Sequence, residues 1–290
     1  MIKLAKRVQM KFLNFKFILL VSLSLSSFSM MKALNTAATG MASQEMNVNT
    51  ISNNVANLNT TAYKKQRAEM EDLLYETVTE AGARSAENTR HNVGLQVGSG
   101  SKVSAVRKEF TQGAPKITNN PFDLMLNGQG FFGVTLPSGQ MMYTRDGSFN
   151  VDSTGTLVEK HGYPIVPGIT LPPNVKSVNI TENGSVEVYL NNQVQPNIVG
   201  QIPVFTFPNQ VGLKSYGGNL LIQTASSGQP AQSIGGQNNA GRIQQGSLES
   251  SNVSIMNEMT NLIRAQRAYE MNSKVMGVAD QMLQTINNIR

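Results

Sequence analysis

Residues Gly128 to Gly133 read GQGFFG and match the G-x-G-x-x-G pattern of loops that bind dinucleotide phosphates. Such a loop binds a pyrophosphate only where a strand precedes it and a helix follows it. Here the following stretch is VTLPSGQMMYT, whose Pro137 and Gly139 do not fit the opening of a helix. We therefore interpret these glycines as part of a turn between strands.

The titratable residues form no recognisable catalytic or metal-binding motif. The two histidines, His91 and His161, have no partner at a metal-binding spacing. Asp146, Asp152 and Glu159 are candidates for a carboxylate pair, but each lies in or beside a turn, where Asp is favoured for backbone reasons. Cysteine is absent, which excludes disulfides and thiolate sites. The sequence therefore predicts no catalytic residue, no metal and no cofactor.

The formal net charge of +6 is concentrated at the amino end of the chain. Residues 1–30 carry five bases and no acid, and the rest carries 19 bases and 18 acids. Because nucleic-acid binding requires a concentrated basic surface, we expect no nucleic-acid partner.

The first thirty residues resemble a targeting segment, with a basic start and an apolar run over residues 17–25. The run is too short to span a bilayer comfortably. Alternatively, the segment is an upstream extension of the reading frame, because an amphipathic pattern starts directly at Met30 and Met31. We favour a start at Met30 or Met31, and in either case expect residues 1–30 to lie outside the mature fold.

Two long segments, residues 31–62 and 247–290, have the narrow apolar periodicity of α-helices. The first stripe comprises Leu34, Ala38, Met41, Val48, Ile51, Val55 and Leu58, and the second comprises Ile255, Met259, Leu262, Tyr269, Met276, Ala279, Leu283 and Ile286. Ser250, Ser251 and Asn252 are candidate N-caps of the second helix. Since neither helix can bury its stripe alone, we predict that the two pair as a coiled-coil-like terminal domain.

The region between the helices is predicted to be extended and rich in β structure. Residues 63–120 are interpreted as an extended arm with short β segments, residues 121–230 as an antiparallel β domain, and residues 231–246 as a linker. The stretches PSGQ, RDGS and DSTG have turn chemistry between strand-like runs, as in antiparallel hairpins. The predicted fold class is therefore α+β and multi-domain, with arm and β domain inserted between the terminal helices.

Asparagines are concentrated at the end of the first helix, in NTISNNVANLNTT, residues 49–61. Asparagine is a poor helix former and is costly to bury unpaired. Asn53, Asn54 and Asn57 are suited to ending the helix. We hypothesise that they are also interface groups whose hydrogen-bond partners belong to neighbouring subunits.

Several of these stretches resemble the bacterial flagellar axial proteins of the rod and hook. The shared Asn-Asn-x-Ala-Asn-x-x-Thr stretch corresponds to Asn53, Asn54, Ala56, Asn57 and Thr60, and the match continues with LNGQGFF, YTRDGSFNVDSTGTLV, GYPIVPG, QGSLESSNVS and AQRAYEMNSKVMGVADQMLQTI. The resemblance runs from about Met30 to Arg290 and is strongest to the distal rod type. Most members have Gly where Ala62 stands, so alanine would be strained there if that position needs a positive φ.

The resemblance implies a structural protein rather than an enzyme. It implies a subunit that assembles helically into the hollow distal rod of the basal body, which crosses the periplasm to the outer membrane and transmits torque to the hook. The implied partners are other copies of the chain, proximal rod and hook subunits, P- and L-ring proteins and the flagellar type III export apparatus, with no small-molecule substrate. Residues 75–92 resemble the arm that distinguishes the distal rod.

Two alternatives stay open, a proximal rod or hook subunit of the same family and, more remotely, an exported β-domain enzyme or carbohydrate binder. In the main interpretation the subunit-interface candidates are positions on the two helices. They are Leu34, Met41, Val48, Ile51, Asn53, Asn54, Val55, Asn57, Met259, Leu262, Tyr269, Met276, Leu283 and Ile286.

Overall fold

The computed structural model describes residues 30–82, 84–86, 89–90, 92–190 and 195–288. Residues 1–29 of the predicted leader and His91 lie outside the described residues. The described chain divides into two units. We call them the helical unit, residues 30–51, 68–106 and 259–288, and the β unit, residues 52–67 and 107–258.

Two long helices, α1 over residues 30–56 and α2 over Ile255–Asn288, lie at the two ends of the described chain, as the apolar periodicity predicted. Each helix contributes residues to both units. In the helical unit the two helices approach closely, because a Cβ added to Gly40 would lie only 2.8 Å from Nδ2 of Asn272. The most buried positions of α1 in this unit are small or medium-sized: Ala37, Ser43, Thr50 and Ile51.

The predicted stripes describe the buried faces only in part. Ile51, Leu262, Met276 and the small Ala279 are buried or half-buried, whereas Ala38, Ile255, Met259 and Tyr269 are exposed. Ala265, which the stripe omitted, is buried. The small side chains of Ala265 and Ala279 allow a close helix–helix approach.

The arm is a two-stranded antiparallel ribbon built from three nested strand pairs. Its strands are β1 (Gln66–Asp72), β2 (Tyr75–Thr79), β3 (Arg84–Ala86), β4 (Thr89–Arg90), β5 (Leu95–Gly98) and β6 (Ser101–Lys108), paired β1–β6, β2–β5 and β3–β4. In the helical unit, Ser43 Oγ donates to the Ser101 carbonyl at 3.1 Å, and Lys32 forms an ion pair with Glu76. These contacts attach the ribbon to α1.

The β unit contains fifteen further strands. They are β7 (Pro115–Ile117), β8 (Leu124–Asn127), β9 (Phe131–Thr135), β10 (Met141–Thr144), β11 (Phe149–Val151), β12 (Leu157–Glu159), β13 (Val175–Ile180), β14 (Ser185–Leu190), β15 (Asn197–Gln201), β16 (Val204–Thr206), β17 (Lys214–Gly217), β18 (Leu220–Ile222), β19 (Ala231–Ser233), β20 (Arg242–Gln245) and β21 (Ser247–Glu249). Their largest sheet has the order β17-β18-β10-β9-β16-β19, and the smaller sheets are β13-β14-β15, β11-β12, β20-β8 and β21-β7. Phe132, Phe149 and Ile202 are fully buried in the main core.

The predicted turns are confirmed at two of three places. PSGQ connects β9 to β10 and DSTG connects β11 to β12, each within an antiparallel pair. RDGS is instead a crossover between sheets, because β10 pairs with β9 and β18 while β11 pairs with β12. Two of the three glycines of GQGFFG lie in a turn between strands as interpreted, with Gly128 and Gly130 at φ 116° and 132° between β8 and β9, whereas Gly133 lies within β9.

Two boundary predictions are wrong. The linker over residues 231–246 contains β19, which pairs with β16, and β20, which pairs with β8, and its Ile243 is 1 % exposed in the core. Both strands were missed in a Gly- and Gln-rich stretch, because β19 has no buried apolar residue and β20 has only Ile243. Residues 247–254 are not helical either, because β21 pairs with β7 before α2 begins. Asn252 does not cap the helix; its carboxamide bonds the Lys65 amide and the Glu109 carbonyl.

Candidate functional site

Asn54, in the last turn of α1, is 1 % exposed and fully hydrogen-bonded within the chain. Its Nδ2 donates to the Gln66 carbonyl at 2.7 Å and to Glu258 Oε2 at 3.1 Å. Its Oδ1 accepts from the Gln66 amide at 2.9 Å and from the Tyr63 hydroxyl at 3.2 Å. The hypothesis that the partners of Asn54 belong to a neighbouring subunit is therefore wrong, because its carboxamide has no group left to share.

Asn57 and Asn53 close the end of α1 together. Nδ2 of Asn57 donates to the Asn53 carbonyl at 2.9 Å and to Asn53 Oδ1 at 2.7 Å, while Oδ1 of Asn57 accepts from the Thr60 hydroxyl at 3.1 Å. Asn57 thus helps to end the helix through its side chain, and its partners also lie within the chain. Asn53 is exposed and its Nδ2 has no hydrogen-bond partner among the described residues, so its interface role stays a prediction.

Glu258 places a buried carboxylate in the first turn of α2, where the helix dipole favours negative charge. Besides accepting from Asn54, it lies 3.1 Å from Lys65 Nζ in an ion pair that lacks hydrogen-bond geometry. The sequence reasoning missed this acid. In the sequence, Glu258 is a single glutamate next to an apolar stripe, and such a glutamate is usually a solvated surface residue.

A second buried cluster joins Lys64, Glu249 and Arg145, whose side chains are 4, 1 and 6 % exposed. The Glu249 carboxylate lies 2.6 Å from Lys64 Nζ and 3.1 Å from Arg145 Nε. Arg145 also donates to the carbonyls of Gly128 and Gly130 at 2.8 and 2.7 Å. Burial holds the pKa of Lys64 below its usual value, although Glu249 opposes this. The cluster joins the segment after α1 to β21, the β8–β9 turn and the RDGS crossover.

Ala62 lies in the turn that leads to this cluster. Its φ is 57°, so the position keeps the left-handed conformation for which Gly is usual in the family it resembles. Its amide donates to the Glu249 carbonyl at 2.8 Å. The expected strain is therefore present, at a cost of about 1 kcal/mol relative to glycine.

An exposed apolar surface lies on α2. Met259, Ile263, Met271, Val275, Val278 and Met282 are 48 to 61 % exposed. At 3.6 residues per turn, their spacings of four, eight, four, three and four residues spread them over about 160° of the helix circumference. This outer stripe, which we define by these six residues, was missed except for Met259. The sequence of α2 contains more apolar residues than one face packed on α1 requires. That excess could have indicated a second apolar surface.

The interface candidates are distributed over both units. In the helical unit Ile51 is buried, Met259 and Tyr269 are exposed, and the other candidates are half-buried, namely Leu34, Met41, Val48, Leu262, Met276, Leu283 and Ile286. In the β unit Asn54 is buried, Val55 and Asn57 are half-buried, and Asn53 is exposed. A half-buried apolar side chain on a helix still exposes apolar surface that a further partner could cover. Their role between subunits stays a prediction.

The acids considered for chemistry do not form a reaction centre. Asp146 is buried and its carboxylate accepts from Ser148, Lys160 and Asn219 at 2.8 to 3.2 Å, which occupies it structurally. Glu159 is buried with one oxygen unpaired, and its other oxygen lies 3.4 Å from Nδ1 of His161. Asp152 is in an exposed turn.

Among the described residues, no group of three or more His, Asp and Glu side chains is placed to hold a metal ion. Within the same part of the chain, neither helix has the length and apolar character together that a bilayer crossing needs.

Three family models match the chain. The model described as flagella basal body rod protein matches residues 34–64, the flagellar hook protein FlgE/F/G D1 domain matches residues 125–188, and the flagellar basal body rod FlgEFG protein C-terminal matches residues 244–289. The matches cover most of α1, a middle part of the β unit, and β21 with α2.

Full-length relatives are similar throughout. The flagellar basal-body rod protein FlgG of Caulobacter vibrioides is 46 % identical over 261 residues, covering 90 % of this chain and 100 % of the relative. The protein of the same name from Borreliella burgdorferi is 46 % identical over 263 residues, covering 90 and 99 %. Among solved structures, the Helicobacter pylori flagellar hook protein FlgE2 is similar at 14 % identity and a TM-score of 0.22, over 64 % of this chain and 43 % of that one. That likeness is weak, and the family assignment rests on the sequence relatives.

Proposed function

Because the chain belongs to the FlgG family of flagellar basal-body rod proteins, we propose that it builds a hollow rod by helical self-assembly through its terminal helices. The chain is a structural subunit of the distal rod in the flagellar basal body, and its role is not enzymatic. The proposal concerns how that subunit polymerises and which surfaces it uses.

The observation that carries the proposal is the outer stripe of α2. Six large apolar side chains on one helix, each about half exposed, are a substantial apolar area facing water. Isolated exposed apolar residues are ordinary, whereas an extended apolar patch indicates a protein partner. In a homopolymer the partner is another copy, and contacts between different surfaces of successive copies generate a helical filament.

The inner faces of α1 and α2 pair, on this proposal, as a coiled-coil-like core of each subunit. Gly40 and Asn272 support this, since a side chain at Gly40 would collide with Asn272. The half-buried candidates such as Met41, Val48 and Met276 would then complete their burial against helices of neighbouring copies.

The ribbon supplies a second assembly surface in the proposal. Leu74, Val78, Val93 and Leu95 are 55 to 88 % exposed. A two-stranded ribbon is marginally stable by itself, so contact with adjacent subunits would stabilise it and stiffen the rod. Residues 75–92 are therefore proposed to straighten the polymer.

Beyond other copies, the proposed partners are proximal rod and hook subunits at the two rod ends, P- and L-ring proteins around it, and the type III export apparatus. The rod would cross the periplasm to the outer membrane and transmit torque to the hook. The near-neutral charge of residues 31–290 supports the absence of a nucleic-acid partner.

The test compares two double variants of α2 that add the same charge, one on the outer stripe and one on polar positions. Ile263→Glu with Val278→Glu puts two carboxylates on the stripe, and Gln266→Glu with Ser273→Glu puts two on exposed polar positions of the same helix. Sedimentation velocity and electron microscopy over a concentration series should show polymers for the wild type and the control pair and monomers for the stripe pair. Polymers of normal length from the stripe pair would refute assembly through this face.

A further inference from the structure

A polar pocket of about 230 Å³ lies within the β unit, beside the end of α1. Its lining includes three bases, Lys64, Lys108 and Arg145, and no acid. Asn53 and Ser215 also line the pocket. A concave site with three cationic side chains and no carboxylate is electrostatically suited to an anion.

Two of the three bases share one counter-charge. Lys64 and Arg145 both form ion pairs with the single buried carboxylate of Glu249. Lys108 has no carboxylate within ion-pair distance among the described residues, and its only hydrogen-bond partner there is the Ser215 hydroxyl. Lys108 is therefore the one base lining the pocket that has no carboxylate partner among the described residues.

Burial at this position is unfavourable for the ammonium and lowers the pKa of Lys108. A half-buried cation without a counter-charge reduces the stability of the folded subunit unless a partner supplies the missing charge. Such a residue is a candidate for binding an anion. The ammonium has already lost part of its hydration in the folded subunit, and its attraction to an anion is gained only when the complex forms.

A hydrogen-bond donor accompanies the charge. The carbonyl oxygen of the exposed Asn53 side chain accepts from Asn57 and Tyr63, which leaves its Nδ2 without a partner among the described residues. Lys108 and Asn53 thus bring an ammonium and an amide donor to the lining of one pocket. Both groups match a carboxylate, which accepts hydrogen bonds on each of its two oxygens.

We propose that this pocket receives a carboxylate side chain from a second copy of the chain, with Lys108 as its ion-pair partner and Asn53 as its amide donor. The pocket volume accommodates an Asp or Glu side chain with a few water molecules. A second copy is the occupant because the chain polymerises with itself, and its body carries 18 acids from which the contact can be drawn. The inference rests on the proposed self-assembly and adds a specific polar contact to the apolar one.

The test replaces Lys108 by Met, which keeps the apolar stem and removes the charge. Lys176→Met, at an exposed lysine of β13, is the matched control for loss of one positive charge. We expect Lys108→Met to raise the critical concentration for polymerisation about tenfold, the effect of one charge-assisted contact. The melting temperature of the monomer should stay the same or rise, since a partly buried unpaired charge has been removed.

The other outcomes are decisive as well. Unchanged polymerisation of Lys108→Met refutes the contact, and a lowered monomer melting temperature assigns Lys108 to the fold through Ser215. If acetate or phosphate raises the melting temperature of the wild-type monomer but not of Lys108→Met while polymerisation is equal, the pocket binds free anions and the proposal fails. A wild type that does not polymerise refutes the proposed function itself, and the pocket proposal with it.

Discussion

Nδ2 of Asn54 lies 3.1 Å from Oε2 of Glu258, so one hydrogen bond joins the end of α1 to the first turn of α2 across 204 positions of sequence. Both side chains are almost completely buried. The same carboxamide also bonds the amide and the carbonyl of Gln66, in the first residue of β1. One asparagine therefore organises the junction of three elements, α1, β1 and α2.

We expect Asn54→Ala to lower the free energy of unfolding by about 3 kcal/mol, because it leaves the Gln66 backbone groups and part of the Glu258 carboxylate buried without partners. Urea denaturation of the purified chain measures this. Asn57→Ala is the matched control, with an expected loss of about 1 kcal/mol because its side chain bonds only within the helix end. Equal losses in the two variants would contradict the junction role of Asn54.

Features that depend on neighbouring residues were predictable from the sequence, and features that depend on distant partners were not. The helical periodicity and the PSGQ and DSTG turns are local, and the structure has them. Asn54 was misjudged because its partners lie 12 and 204 residues away, and in isolation a buried carboxamide looks unsatisfied. The strand β20 was taken as a linker because its pairing with β8 joins segments more than 100 residues apart.

Ala62→Gly should stabilise the subunit by about 1 kcal/mol, because glycine adopts a φ of 57° without the Cβ penalty. Thermal unfolding monitored by circular dichroism measures the gain. The companion variant Ala62→Val should lose stability, since a β-branched residue is disfavoured in the left-handed region. A loss in Ala62→Gly would mean that the packing of the buried methyl group outweighs the backbone strain.

Glu249→Gln should lower the free energy of unfolding by about 3 to 5 kcal/mol, because Lys64 and Arg145 are then left as buried charges without a counter-ion. Glu182→Gln removes the same charge from the exposed pair with Arg242 and should change stability by less than about 0.5 kcal/mol. Guanidinium denaturation compares the two. Similar small effects would show that water screens the buried cluster.

Glu159→Gln tests a titration. Burial raises the pKa of the Glu159 carboxyl above its ordinary 4.5 and Asp146 adds to this, although His161 and Lys160 oppose it. Since the folded pKa is the higher one, the stability contributed by Glu159 is fully present below the unfolded pKa and is lost as pH rises through the folded value. The variant should therefore be more stable than the wild type at about pH 7.5, with a gain that vanishes near pH 4. A gain that is equal at both pH values would assign the effect to packing.

Gly40 and Gly277 provide a matched pair for testing the approach of the two helices, since both lie inside long helices and differ in what surrounds them. A Cβ at Gly277 meets nothing within 4 Å, so Gly277→Ala should stabilise the chain by about 1 kcal/mol through helix propensity. A Cβ at Gly40 would lie 2.8 Å from Asn272 Nδ2, so Gly40→Ala should gain less than Gly277→Ala. Gly40→Val should destabilise by about 2 kcal/mol because the added methyl groups force the helices apart. Gly277→Val is the fourth variant, and thermal unfolding compares all four. If the two valine variants lose the same stability, Gly40 does not serve close packing of α1 on α2. The coiled-coil-like pairing in the proposed assembly then loses its support.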